Sequence, residues 1–169
     1  EIQRPSDRVG VEVIGQSAGG RNLFLATVTE PFNKKRKCRK DKGRHKDLRK
    51  LMIKDPEKAL ALVEEYDDFN VPVFINCSIH GGEYPGTDAC MQMIEYLAYD
   101  DSEEVEAILD NTILLFNVVQ NPDGRVMGTR RNANDIDINR DLITQSQPET
   151  RATVKVVTEW NPMAFLDLH

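Results

Sequence analysis

Three apolar runs of strand length constrain the fold of this chain most. They extend from Val71 to Ile79, from Thr112 to Val119 and from Met163 to Leu168. A near-continuous apolar run is typical of a strand that is buried on both faces of a sheet. Because segments with helical patterns separate the runs, the sequence predicts an α/β fold, in which helices flank a mostly parallel or mixed twisted sheet.

The segments between these runs carry helix signals. Asp55 and Pro56 predict the N-cap and first turn of an amphipathic helix, and Ser102 predicts the N-cap of a helix that continues to Leu109. Another helix is expected from about residue 86 to residue 99. The sequence Ser146-Gln147-Pro148-Glu149 has the form of a capping box, which predicts the start of a last helix.

The first third of the chain predicts a strand pair followed by an insertion. The runs from Val11 to Ile14 and from Leu23 to Val28 are joined by a glycine-rich turn, which favours a hairpin. Residues 33 to 54 have almost no apolar periodicity, so we expect an exposed basic insertion with little helix. Because surface insertions cost little loop entropy, we expect that it can be shortened without unfolding the domain.

Charge is distributed unevenly along the 169 residues. The net charge is −6, yet residues 34 to 50 contain eleven Lys and Arg and two Asp, a local charge of +9. This basic insertion leaves open a noncatalytic module that binds nucleic acid or an anionic surface. The segment has no Phe, Trp or Tyr to stack on bases, so specific nucleic-acid binding is not expected.

The sequence carries few signals of cellular location. No apolar run approaches the length of about 18 residues that a transmembrane helix needs, so none is expected. Residues 1 to 7 are polar and no apolar segment follows them, so we expect no signal peptide in this sequence. The location and the oligomeric state are left open, with a secreted or cell-envelope protein favoured.

Polar residues follow each of the three buried runs, as His80-Gly81-Gly82-Glu83, Gln120-Asn121-Pro122-Asp123-Gly124 and Asp167-Leu168-His169. Open α/β sheets bind ligands beyond the carboxyl ends of their strands, so these groups could converge on one site. The imidazoles of His80 and His169 and the carboxylate of Glu83 suit Zn²⁺ and leave a fourth position for water. For the His-x-x-Glu pair alone, a solvated loop remains the alternative.

Six segments, three of which contain the polar groups just named, occur in a distinctive order. They are Ile79 to Glu83, Asn121 to Gly124, Thr129-Arg130-Arg131-Asn132, Ile136 to Asp141, Gln147 to Ala152 and Phe165 to His169. In this combination the chain resembles the M14 family of zinc carboxypeptidases, from Gly15-Gln16-Ser17 to its last residue, interrupted by the basic insertion. The resemblance implies that residues 1–169 are the N-terminal part of a zinc carboxypeptidase catalytic domain. It also implies Zn²⁺ as the cofactor, with His80, Glu83 and His169 as its ligands.

The same resemblance implies roles for four further residues. Asn139 and Arg140 match the pair that holds the terminal carboxylate of a peptide substrate, which a guanidinium can bind through two parallel hydrogen bonds. Arg130 matches the residue that stabilises the developing oxyanion, with Arg131 as the adjacent alternative. Asp137 matches a carboxylate that accepts a hydrogen bond from a zinc-binding histidine. From the residues alone, a surface turn remains open for Asn139-Arg140, as does a turn-forming role for Asp137.

The activity that the resemblance implies is hydrolysis of the C-terminal peptide bond of peptides by a metal-activated water. In the family, the catalytic domain continues beyond the second zinc histidine, and the general-base glutamate lies there. We therefore expect residues 1–169 to be inactive or weakly active alone. One alternative is an amidohydrolase of the same fold that acts on cell-wall peptides or side-chain-linked glutamate. The other is the noncatalytic binding module that would use the basic insertion.

Overall fold

The computed structural model of the chain describes residues 6–30, 34–66 and 69–169. Its centre is a mixed five-stranded sheet with the order β1-β2-β4-β3-β5. The strands are β1 Val9–Gln16, β2 Asn22–Val28, β3 Val71–Asn76, β4 Thr112–Asn117 and β5 Ala164–Asp167. Strand β3 is parallel to β4 and β5, whereas β2 is antiparallel to β1 and β4. The predicted α/β fold with a mixed sheet is confirmed.

Within the described ranges, six α-helices accompany the sheet: α1 Lys34–Lys54, α2 Pro56–Glu64, α3 Pro85–Tyr99, α4 Glu103–Asn111, α5 Pro122–Met127 and α6 Pro148–Trp160. As predicted, the side chains of Asp55 and Ser102 accept hydrogen bonds from the first turns of α2 and α4. The predicted capping box is wrong, because α6 begins after Gln147 without any side-chain cap. Over the residues that the structure describes, no helix is both long and apolar enough to cross a membrane.

Both faces of the sheet are covered by helices. One buried cluster joins strand residues to α6 and contains Leu25, Phe74, Ile113, Leu115, Val156 and Trp160. The opposite cluster joins the sheet to α3 and α4 and includes Ala26, Ile75, Phe116, Ile94 and Leu109. Because successive residues of a strand point to opposite faces, burial on both sides makes most positions of β3 and β4 apolar, and the buried Asn76 and Asn117 stand at the strand ends.

Helix α1 corrects the prediction of an exposed insertion at residues 33 to 54. This stretch contains a helix of 21 residues, which packs against α2 and α6. Asp41, His45 and Leu48 are buried and share one side of the helix, since they are spaced four and three residues apart. Only one of these three residues is apolar, so the hydrophobic pattern did not reveal the packed face. The prediction of an exposed segment with little helix is therefore wrong.

His45 makes the stability of the domain sensitive to acid. Its ring is 3% exposed, and its centroid lies 4.9 Å from that of Phe69 and 6.0 Å from that of Trp160. Burial lowers the pKa of His45 from 6.5 to about 4; the Arg44 charge acts in the same direction, and a backbone hydrogen bond at Asn70 opposes it. The unfolded chain thus binds the proton more tightly than the folded chain does.

We expect the contribution of His45 to stability to be complete above pH 6.5 and to be lost as the pH falls towards about 4. Between about pH 7 and about pH 5, the free energy of unfolding should fall by about 2 kcal/mol through this residue. Urea denaturation of the unchanged chain and of a His45→Phe variant at both pH values measures the difference. An equal fall in the two proteins would contradict the prediction.

Candidate metal centre

The carboxyl ends of three adjacent parallel strands form the floor of the site. The register pairs Asn76 of β3 with Asn117 of β4 and with Asp167 of β5. The Nδ2 atom of Asn117 donates to Oδ1 of Asn76 at 2.8 Å, and Nδ2 of Asn76 donates to Oε1 of Gln120 at 2.6 Å. These buried amides tie the strand ends together, so the segments that leave the sheet start from fixed positions.

The loop after β3 holds His80 in the interior. The strand ends at Asn76 and not at Ile79 as predicted, and the chain turns away through Ser78, whose φ is 55°. Gly81 packs directly on the start of α5, where a Cβ atom would overlap the backbone of Gly124. His80 is 1% exposed as a result. The glycine is therefore required for this close approach of two backbones.

The structure brings His80, Glu83 and His169 together at this edge of the sheet. Each offers a ligand atom, and the three atoms lie within 4.8 Å of one another. Nδ1 of His80 is 3.0 Å from Oε1 of Glu83, and the rings of His80 and His169 meet edge to face with centroids 4.5 Å apart. Two imidazole nitrogens and one carboxylate form a donor set that fits Zn²⁺.

Asp137 connects the cluster to the loop that precedes α6. Its Oδ1 atom lies 3.2 Å from Nε2 of His80 and can accept a hydrogen bond from the proton on that nitrogen. In this tautomer Nδ1 of His80 carries the lone pair, and Nδ1 is the nitrogen that faces Glu83. Burial alone would raise the pKa of Asp137, but hydrogen bonds from Arg130 and the Asn139 amide, with the Arg130 charge, hold it below its usual value. The ionised carboxylate therefore orients the imidazole.

Arg130 lies at the cluster, whereas Arg131 does not. The Nε atom of Arg130 donates to Oδ2 of Asp137 at 2.9 Å, and its Nη1 atom lies 3.0 Å from Nδ1 of His80. Arg131 instead forms a surface ion pair with Asp135 at 3.0 Å. The sequence did not decide which of the two adjacent arginines lies at the site. In the structure the guanidinium of Arg130 contacts His80, a residue of the cluster.

Asn139 and Arg140 lie in a 3₁₀ turn, Ile138–Arg140, that Asp137 caps. The Asn139 amide donates to Oδ1 of Asp137 at 3.1 Å, and Nη1 of Arg140 donates to the Asn139 carbonyl at 3.1 Å. The Arg140 side chain is exposed, and no carboxylate within residues 6–30, 34–66 and 69–169 is paired with it. These two residues adjoin the cluster through Asp137, and the Arg140 guanidinium is available to an incoming anion.

Sequence reasoning missed the role of Glu149. This residue is fully buried, and its Oε1 atom accepts a hydrogen bond from the Ala18 amide at 2.9 Å. Its Oε2 atom accepts one from Nδ2 of Asn132 at 3.2 Å. The carboxylate thus links the glycine-rich turn after β1 to the loop that carries Arg130. Its place three residues after Ser146 suggested a capping box and concealed this long-range contact.

Asp141 organises the turn before α6. Its carboxylate accepts hydrogen bonds from the hydroxyls of Thr144 and Ser146 and from the backbone amides of Ser146 and Gln147, at 2.6 to 2.9 Å. Burial would raise the pKa of Asp141, but these hydrogen bonds outweigh it and hold the pKa well below its usual value. The buried Asp141 carboxylate therefore fixes the turn that leads into α6.

A sequence model for the family described as zinc carboxypeptidase, Peptidase_M14, matches residues 2–142. The chain belongs to the M14 zinc carboxypeptidase family. This is a family of zinc-dependent metallopeptidases, and the predicted membership is confirmed. His80 and Glu83 fall inside the matched range and His169 lies beyond it, so the place of His169 in the cluster rests on the structure. A comparison with curated protein sequences found no match.

Several solved structures share the fold of this chain. A metallo-carboxypeptidase from Burkholderia cenocepacia is 20% identical, with a TM-score of 0.71 over 99% of this chain and 38% of that protein. A Pseudomonas aeruginosa metallo-carboxypeptidase, in complex with (2-guanidinoethylmercapto)succinic acid, is 22% identical, with a TM-score of 0.66 over 95% and 35%. The murein-tripeptide amidase MpaA from Escherichia coli O157 is 16% identical, with a TM-score of 0.55 over 94% and 59%. This M14 chain thus spans between about a third and three fifths of their lengths.

Proposed function

We propose that this M14 chain is part of a zinc metallocarboxypeptidase that releases the C-terminal residue of peptides. The convergence of His80, Glu83 and His169 beside Arg130 carries the proposal. When bound at these three residues, zinc supplies a Lewis acid that polarises a carbonyl and lowers the pKa of water. The residues around the cluster then account for orientation, charge stabilisation and substrate choice.

Arg130 and Asp137 act as a pair in this proposal. Asp137 keeps the His80 proton on Nε2 and also fixes the Arg130 side chain through its second oxygen. The guanidinium of Arg130 is thereby positioned to donate to a carbonyl oxygen on which negative charge develops. Donors that are already oriented cost no reorganisation during the reaction, which is why they stabilise an oxyanion effectively.

Arg140 and Asn139 restrict the reaction to the end of a peptide. The exposed guanidinium can bind a carboxylate through two parallel hydrogen bonds, and the adjacent Asn139 amide side chain can donate a further one. An internal peptide bond offers no carboxylate next to the scissile carbonyl. Recognition at Arg140 therefore favours substrates with a free terminal carboxylate.

We propose that the general base is none of the carboxylates at the cluster. Glu83 is committed to the metal, Asp137 to His80 and Arg130, and Asp167 to Nδ1 of His169 at 3.2 Å. None of these carboxylates is free to take a proton from water. A positioned general base contributes about 10²–10⁴-fold to the rate, so residues 1–169 alone should be weakly active at most.

Replacing Arg140 by alanine in the longer protein that contains this chain tests the proposal. We expect kcat/KM for peptides with a free terminal carboxylate to fall at least about 30-fold, because a charged hydrogen-bonding partner of the substrate is lost. Release of C-terminal residues is measured with free and amidated peptides, a cell-wall tripeptide and a peptide with side-chain-linked glutamate. The matched control is Arg131→Ala, which removes a neighbouring arginine whose ion pair is with Asp135.

The outcomes separate the possible activities. A loss confined to free-carboxylate peptides in the Arg140 variant supports the carboxypeptidase. Selective hydrolysis of the cell-wall tripeptide or the glutamate conjugate would show that the protein is an amidohydrolase and not a carboxypeptidase. A longer protein that binds zinc and hydrolyses none of these substrates would favour a noncatalytic module.

A further inference from the structure

The solvent-facing side of helix α1 carries a basic face, which we define as Lys46, Arg49, Lys50, Ile53 and Lys54. These residues recur at helical spacings of three and four, so they share one side of the helix. All five are exposed, and Ile53 is 74% exposed. The packed side of the helix, with His45 and Leu48, holds this face in place against α2 and α6.

The charge of this basic face is mostly unpaired. Lys50 forms an ion pair with Asp47 at 3.0 Å, whereas no described carboxylate pairs with Lys46, Arg49 or Lys54. The chain as a whole is acidic, with a net charge of −6, yet residues 34 to 50 carry +9. Lys46, Arg49 and Lys54 therefore present a cationic surface that no described carboxylate neutralises.

The basic face lies on an element remote from the metal cluster. Helix α1 contacts the rest of the molecule through His45, which packs against Trp160 at the C-terminal end of α6. The other end of α6 carries Glu149, which holds the loop beside the cluster. Phe69, the second neighbour of His45, precedes the start of β3, while His80 follows its end. The face is thus separate from the proposed peptide site.

We propose that the basic face docks the protein on an anionic lipid bilayer surface. Each lysine or arginine near such a surface contributes about 1 kcal/mol to the free energy of binding. An exposed isoleucine among the cations can bury itself at the boundary of headgroups and acyl chains, a role that it cannot play against a phosphate backbone. Residues 34 to 54 contain no Phe, Trp or Tyr to stack on nucleobases. These features favour a membrane over a nucleic acid.

Co-sedimentation with vesicles tests this docking. One set of vesicles is phosphatidylcholine alone, and the other is equal parts of phosphatidylcholine and phosphatidylglycerol. We expect the unchanged chain to bind only the anionic vesicles and to be released by high salt. The double variant Lys46→Glu/Arg49→Glu should bind at least about 25-fold more weakly. Its matched control is Lys155→Glu/Arg131→Glu, which makes the same charge change at exposed positions outside α1 and should lose far less affinity.

An Ile53→Ser variant separates a bilayer from other polyanions. We expect it to lose several-fold affinity for anionic vesicles and to bind duplex DNA as the unchanged chain does. Equal binding of the unchanged chain to neutral and anionic vesicles would overturn the proposal. So would an equal loss in the two double variants, or tight binding to DNA combined with vesicle binding that Ile53→Ser leaves unaltered. Circular dichroism of each variant establishes that α1 is still folded.

Discussion

A His80→Ala variant is expected to bind zinc at least about 100-fold more weakly than the unchanged chain. His80 supplies one of the three donor atoms of this cluster, which lie within 4.8 Å of one another. Even loss of a partner that merely orients a metal-binding histidine typically lowers affinity about 10–100-fold. Loss of the donor itself should weaken zinc binding by more than that range. An Asp137→Asn variant should weaken zinc binding by a factor within it, because Asp137 orients His80.

Competition for zinc with a chromogenic chelator measures both affinities. Glu83→Gln should also weaken zinc binding, because it removes the anionic donor. Glu95→Gln is the matched control, since Glu95 is exposed on α3 and is not a member of the cluster. If His80→Ala bound zinc as tightly as the Glu95 variant does, the assignment of the three ligands would be wrong.

Deletion of residues 34–54, with a short Gly/Ser bridge, is expected to lower the free energy of unfolding by more than about 4 kcal/mol. The deletion removes the buried Leu48 and withdraws the His45 ring from Trp160. It also breaks the ion pair between Lys42 and Glu159, whose atoms lie 2.8 Å apart. The apolar surface of α6 that α1 covers would then be exposed to water.

Single substitutions on the same helix provide the controls for this deletion. Leu48→Ala should cost about 2–4 kcal/mol, because Leu48 is 5% exposed and its loss leaves a cavity. Ile53→Ala, at a position that is 74% exposed, should change stability by less than about 0.5 kcal/mol. Urea denaturation with two optical probes measures each value. A deletion variant that unfolds cooperatively at the original urea midpoint would show that α1 is an appendage after all.

Much of the architecture follows from the sequence because it depends on local patterns. Continuous apolar runs indicated β3 and β4, since strands covered on both faces need mostly apolar residues. The third run indicated the strand β5 as well, but all four residues of β5 are exposed, so the prediction that this strand is buried is wrong. Asp55 and Ser102 predicted helix starts, because a cap requires only a side-chain acceptor next to its own first turn. Polar residues after the strands indicated the edge on which His80 and His169 meet.

The structure decided those features that depend on contacts between distant residues. His80 and Asp137 are 57 positions apart, and only their contact distinguishes Arg130 from Arg131 as the arginine at the cluster. Glu149 bonds to Ala18, 131 positions away, where its local pattern had indicated a cap.

Helix α1 shows the same dependence most clearly. Asp41 and His45 face the interior because α2 and α6 cover them, although neither residue is apolar. A hydrophobic pattern records the average preference of a side chain for water, whereas burial of a polar side chain depends on partners that the fold supplies. The sequence alone therefore determined the sheet and the edge that carries the site, and the tertiary structure determined which polar side chains it buries and which it presents to a ligand.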